Sequence, residues 1–133
     1  VTHLTQSPTN GIGQDITDAG LAALAALFCG QPGSAPFLNV VLGTGGSLPI
    51  NANTTLDAQV LSMPAAITVV GPQVTLQIQV NPGVLNCNIQ EMGITNANGV
   101  LYYRETQAPM TLSATVGGIF ILRGTFGRNI VTC

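Results

Sequence analysis

At 133 residues the chain has room for one domain with a real core, but only 6% of its residues are charged, where about a quarter is usual. The net charge of −2 arises from Arg104, Arg123 and Arg128 against Asp15, Asp18, Asp57, Glu91 and Glu105, with no Lys. No basic stripe exists to neutralise phosphates, so nucleic acid is not an expected partner. Polarity comes instead from Asn, Gln, Thr and Ser, which enter a subunit interface at far lower desolvation cost than charges, and a surface made to be covered by other subunits is expected.

Residues 1–16, with Ser7, Pro8, Gly11 and Gly13, show no sustained apolar period and read as an extended arm ahead of a single domain over 17–133. Such an arm either reaches to a neighbour, with His3, Leu4, Gln6 and Ile12 as contacts, or drapes on its own domain. The chain opens on Val1 rather than Met, which suggests processing or a start inside a longer product. A helix is expected next: Thr17 or Asp18 caps it, Leu21, Leu24, Leu27 and Phe28 recur at helical spacing among alanines, and Gly30 and Pro32 stop it. Its apolar run, Leu21 to Cys29, is far short of the roughly 20 residues of a membrane span, and no charged segment precedes it as in a signal peptide.

From Phe37 onward the pattern is β. Phe37 to Leu42 is a compact apolar strand ending in the loop Gly43-Thr44-Gly45-Gly46, and Thr55 to Leu61 and Ala66 to Val70 are further candidates. Val74, Leu76, Ile78 and Val80 alternate strictly with Thr75, Gln77 and Gln79, as Leu85, Cys87 and Ile89 do with Asn86, Asn88 and Gln90, so one face is core and the other polar. Asn81-Pro82-Gly83 between them suggests a hairpin. Asn98-Gly99 is the strongest short hairpin signal, leading into Val100 to Glu105. Leu112 to Val116 and Ile119 to Phe126 are expected to pair around Gly117-Gly118. The sum is a mainly β fold, a β-sandwich or flattened barrel of about seven or eight strands with one N-terminal helix.

Reactive chemistry is scarce. The one imidazole, His3, lies in the arm, where nothing orients it against a nucleophile. Glu91 and Glu105 read as solvated strand ends more readily than as a paired-carboxylate site. The Gly43 to Gly46 loop lacks the Lys-Ser/Thr of a phosphate cradle and is better read as a tight bend, and Asn53-Thr54-Thr55 matches a glycosylation triplet without a secretory signal. Cys29, Cys87 and Cys133 are odd in number and lack metal-ligand spacing, so reduced thiols are the simplest reading and neither a disulfide framework nor a metal site is expected. No enzyme activity, metal or cofactor is expected. Arg104 is positioned to meet Glu91, pinning the register of their hairpin or making an interface ion pair. Tyr102 and Tyr103 point to opposite faces, one core and one exposed. Tyr103 is taken as a candidate contact, with Gln77, Gln79, Asn86 and Asn88 on the polar strand faces.

Several segments together resemble a known family. These are Thr17-Asp18-Ala19-Gly20-Leu21, Phe37 to Gly45, Thr54-Thr55-Leu56 through Val60, and Asn88-Ile89-Gln90-Glu91-Met92-Gly93-Ile94 leading to Asn98-Gly99-Val100-Leu101-Tyr102. The order resembles the N-terminal attachment domain of tailed-phage tail-collar fibre proteins from about residue 17 to about residue 110, most sharply over Glu91 to Leu101. The resemblance implies a non-enzymatic virion protein of tail-fibre or baseplate attachment or adaptor type, assembled in the host cytoplasm. It also implies a homo-oligomer, trimeric by analogy, that contacts other baseplate, fibre or capsid proteins but no membrane. Gly43, Gly45, Glu91, Gly93, Gly99 and Arg104 are then structural residues. No fibre shaft follows residue 133, so an adaptor or a capsid decoration (cement) protein is a second expectation. A carbohydrate-binding β-sandwich is a third, weakened by the absence of Trp.

Overall fold

The computed structural model describes the backbone of residues 2–6 and the whole of residues 15–126. Among the described residues, eight strands and one helix run in the order β1 (Thr2–Gln6), α1 (Asp18–Phe28), β2 (Phe37–Gly43), β3 (Gln59–Pro64), β4 (Ala66–Val70), β5 (Gln73–Val80), β6 (Asn88–Asn96), β7 (Leu101–Thr111) and β8 (Gly118–Thr125). They form two open four-stranded sheets, β1-β8-β5-β4 and β3-β2-β6-β7, rather than a closed barrel. Every pairing is antiparallel except β1 with β8, where Thr2 to Gln6 run parallel to Phe120 to Gly124.

The two sheets share one core because each presents a two-residue apolar period inward. Val40, Leu42, Met92 and Tyr103 come from the β2-containing sheet and Leu76, Ile78, Val80, Phe120 and Leu122 from the other. Gln77 and Gln79 stand exposed on the opposite face of β5. Removing each of these large apolar side chains from water contributes about 1.5–3 kcal/mol, which makes the sandwich interior the main driving force.

The helix starts where its cap dictates. The Thr17 hydroxyl accepts from Gly20 N at 2.8 Å and itself donates to Leu101 O, tying the first turn of α1 to β7. Gly20 is the one residue of α1 that is fully buried, and a Cβ there would lie 2.4 Å from the Tyr102 Cα. Gly30, in the left-handed region at φ 67°, ends the helix.

Three local expectations fail for physical reasons. β5 and β6 do not form a hairpin: β5 pairs with β4 and β8, whereas β6 pairs with β2 and β7 in the other sheet. Pro82 and Gly83 instead pack against the 113–117 loop, Gly83 N donating to Ser113 O at 2.9 Å, and a Cβ on Gly117 would lie 2.3 Å from Val80 O. For the same reason Leu112 to Val116 is no strand partner of β8. Leu112 is a buried anchor whose N–H donates to Cys87 O at 2.9 Å. The strand expected from Thr55 begins only at Gln59, because the Asp57 and Ala58 N–H groups are engaged elsewhere, as described below.

Candidate functional site

The outer face of the β3-β2-β6-β7 sheet carries the polar centre of the molecule. Glu91 and Arg104 lie fully buried there, Glu91 on the same face of β6 as Gly93, which pairs with Arg104. Arg104 Nε donates to Glu91 Oε1 at 3.0 Å. Glu91 Oε1 also accepts from Asp57 N at 2.8 Å, and its Oε2 accepts from Gly45 N at 2.9 Å and Ala58 N at 2.8 Å. The guanidinium spends its remaining donors on the loop above it: Asp57 Oδ2 at 3.0 Å, Ser47 O at 2.9 Å and Asn53 Oδ1 at 3.3 Å.

The result is a clamp on residues 44–58, a loop with no regular structure whose backbone N–H groups close on one carboxylate. Leu56 adds an apolar peg against Val41 and Leu101. Gly43 and Gly45 are required by close approach, since a Cβ on either would come within 2.6 Å of Glu91 Oε2. Gly93 is similarly confined by Tyr103 O at 2.5 Å, and Gly99 sits at φ 78° in the turn between β6 and β7. The Ser47 hydroxyl beside Asp57, followed by the Ser47 N–H and Arg104, holds the Asp57 carboxyl below its ordinary range against a partial desolvation penalty. With both oxygens of Glu91 saturated and no open space beside it, the cluster is built to hold a loop and offers no cleft to a reacting molecule.

A second group of ionisable side chains lies on the inner side of β7. Burial, and then the neighbouring Asp15 carboxylate, push Glu105 up to about 7, and burial raises Asp15 as well. The Tyr103 hydroxyl lies among these carboxylates, buried and without a hydrogen bond of good geometry. Tyr103 is therefore the core member of the tyrosine pair, only 2% exposed, and is not a surface contact. The β-bulge between Ile94 and Thr95 shifts the phase of the alternation there. Tyr102 is the half-buried one, its ring 5.2 Å from that of Phe37. An apolar cavity of about 200 Å³ lies between α1 and the sheet ends, lined by Leu24, Leu27, Phe37, Tyr102 and Phe126 among others.

Of the other contacts expected from sequence, Gln77, Gln79, Asn86 and Asn88 are exposed. His3, Leu4 and Gln6 lie in β1, opposite Ile121, Leu122 and Gly124. Ile12 falls outside the described residues. Cys29 is disulfide-bonded, contrary to the reduced thiol expected, with its partner outside the described residues, whereas Cys87 is free. Among the described residues no cluster of His, Cys, Asp or Glu is fit to hold a metal, and no helix is long and apolar enough to cross a membrane.

Sequence reasoning missed the loop's share in the clamp, namely Ser47, Asn53 and Asp57. The available signal was scarcity: three of the eight charged residues, Asp57, Glu91 and Arg104, meet at one point. Exposed apolar side chains are the other unforeseen feature. Leu48 and Ile50 stand on the clamped loop, Phe28 on α1, and Val60, Ile67, Val69 and Val70 along β3 and β4. No family model matches the chain, and neither does any curated protein or solved structure.

Proposed function

We propose that the chain is a non-enzymatic structural protein of a tailed-phage virion, of the tail-fibre or baseplate attachment type, and that it works through protein–protein contacts as a homo-oligomer, trimeric on the fibre analogy. The observation that carries this reading is the pairing of a charge-poor skin with apolar side chains left in water on several elements, a surface whose energetic complement is another protein. The buried polar centre supports it from the other side. Four residues of the segments that carry the resemblance, Gly43, Gly45, Glu91 and Gly93, converge on a saturated scaffold with no room for a substrate. Their chemistry is positional, consistent with a module that holds a loop and an edge in place for partners.

The test is location. Antibody labelling of purified native particles, followed by cryo-electron microscopy of the labelled class, is expected to place the chain at the tail tip or baseplate. Label spread over the head shell would overturn the tail assignment in favour of decoration, and absence from particles would overturn the virion reading altogether.

A further inference from the structure

The edge strands are β1 and β4 in one sheet and β3 and β7 in the other. β1 lies along β8, and Asp15–Thr17 lie along β7, with Arg104 N donating to Asp15 O at 2.8 Å and Thr17 N to Tyr102 O at 2.9 Å. Two of the four, β3 and β4, are consecutive in sequence and hinge at Ala65, so one ribbon, residues 59–70, borders both sheets. Among the described residues β4 has a hydrogen-bonded neighbour on one side only. Natural edge strands are usually guarded by Lys, other charges, Pro or bulges. Here no charged residue occurs anywhere from 58 to 90, the ribbon's Pro64 lies outside β4, and every residue of β4 is exposed, Val69 and Val70 at 65% and 67%.

We propose that β4 pairs antiparallel with β4 of a second copy of this chain, about a two-fold axis at Thr68. Three observations select that occupant. A two-fold contact sets the residue on its axis against its own copy and the others against residues of the same ribbon, so a charge at the centre would face its like, and the ribbon is free of charge; a partner chosen by charge would find nothing to recognise. The strand Ala66-Ile67-Thr68-Val69-Val70 is also close to palindromic in side-chain type. Centred on Thr68, it sets Ile67 against Val69 twice and Thr68 against itself, pairs that favour an antiparallel ladder.

Third, Ile67 and Val69 lie opposite Leu76 and Val74 on β5, and so on the core-facing side of their sheet, yet both are in water. A second copy continues the sheet and lays the same two side chains beside them, covering an inward strip that the first sandwich leaves open. The contact consumes both β4 edges and closes, so it yields a pair rather than a filament. It is distinct from any trimer axis: it joins two monomers, or one trimer to another.

Sedimentation velocity of the purified chain, up to about 200 µM because a five-residue edge sits at the weak end of interfaces, is expected to show an assembly whose copy number is even. Thr68→Lys sets two ammonium groups opposite each other at an exposed position. It is expected to weaken association by about tenfold or more and halve the assembly mass, with the thermal midpoint unchanged as a check on folding. In a Cys87→Ser background, Thr68→Cys is expected to form an intermolecular disulfide on mild oxidation, since directly opposed residues bring their Cα atoms within reach. Val70→Cys, which faces Ala66 of the other copy, is expected not to. A monomer or an odd copy number throughout, an assembly indifferent to Thr68→Lys, or equal cross-linking by Val70→Cys each overturns the proposal. These are solution readouts, so they stand or fall independently of where the chain resides in a particle.

Discussion

Replacing Glu91 by Gln preserves the shape of the side chain and alters what its two terminal atoms can accept. The native carboxylate takes four hydrogen bonds, from Asp57 N, Ala58 N, Gly45 N and Arg104 Nε, all at 2.8–3.0 Å. A carboxamide has one oxygen and one NH2, so whichever way it turns, two of those donors meet another donor. Arg104, fully buried, is left with Asp57 as its carboxylate partner, and that side chain is 37% exposed. Each hydrogen bond lost to a charged group is worth about 1.5–3 kcal/mol, but the losses overlap, and the cost of breaking a buried pair from one side, about 3–5 kcal/mol, is the better figure. Set against a total stability of about 5–15 kcal/mol, Glu91→Gln is expected to lower the thermal midpoint by roughly 10–20 °C. Calorimetry at pH 7 on Glu91→Gln, Arg104→Met and the double variant closes a cycle, with a coupling of at least about 2 kcal/mol expected. A midpoint within about 3 °C of the parent protein would refute the reasoning that this carboxylate holds the loop.

Gly20→Ala should destabilise the protein even though Ala is the better helix former by about 1 kcal/mol, because the added Cβ would meet backbone atoms of β7 at 2.4 and 2.9 Å; a raised melting temperature would contradict the close packing of α1 on β7. Glu105 is raised in the folded state, from the ordinary 4.5 to about 7, so the unfolded chain gives up its proton first and stability falls as pH rises between those values. Glu105→Gln is therefore expected to flatten that slope and to stabilise the protein at pH 8 by about 1 kcal/mol after allowance for solvent screening, and urea midpoints at pH 5 and pH 8 that move in parallel for both proteins would rule this out. Reduction of the Cys29 disulfide should cost about 2–4 kcal/mol, measured as a loss of urea midpoint on adding a reductant, and Cys29→Ser should reproduce the loss without reductant.

Elements specified by their own neighbours were legible in the sequence. Thr17 caps α1, the Leu76-Ile78-Val80 period gives β5 its buried face, and Asn98-Gly99 turns β6 into β7. What alternation cannot encode is which sheet a strand joins. The segments on either side of Pro82 carry the same two-residue period, and a local hairpin and a crossover bury their apolar faces equally well. The choice lies with distant contacts of Pro82, Gly83 and Gly117, which no local pattern reveals. The tyrosines fail for a related reason, since a single bulge reverses which of two adjacent side chains enters the core. At the polar centre Glu91, Arg104, Gly43 and Gly45 could be singled out from sequence. Asp57, Ser47 and Asn53 could not, because they act from a loop without periodicity.

The clamp has a bearing on how loop 44–58 can change. Its hold on Glu91 runs through main-chain amides at Gly45, Asp57 and Ala58, and the loop side chains that engage the frame are those of Ser47, Asn51, Asn53, Leu56 and Asp57. Between Gly45 and Asp57, Asn51 O accepts from Asp18 N and Asn51 Nδ2 donates to Ile16 O, each at 2.8 Å, so the tip is pinned once more to the start of α1, while Leu48 and Ile50 stand in solvent on it. A buried charge pair fixes both ends of a short exhibit and Asn51 fixes its middle, so new side chains can be mounted at Leu48 and Ile50 while the sandwich beneath keeps its shape.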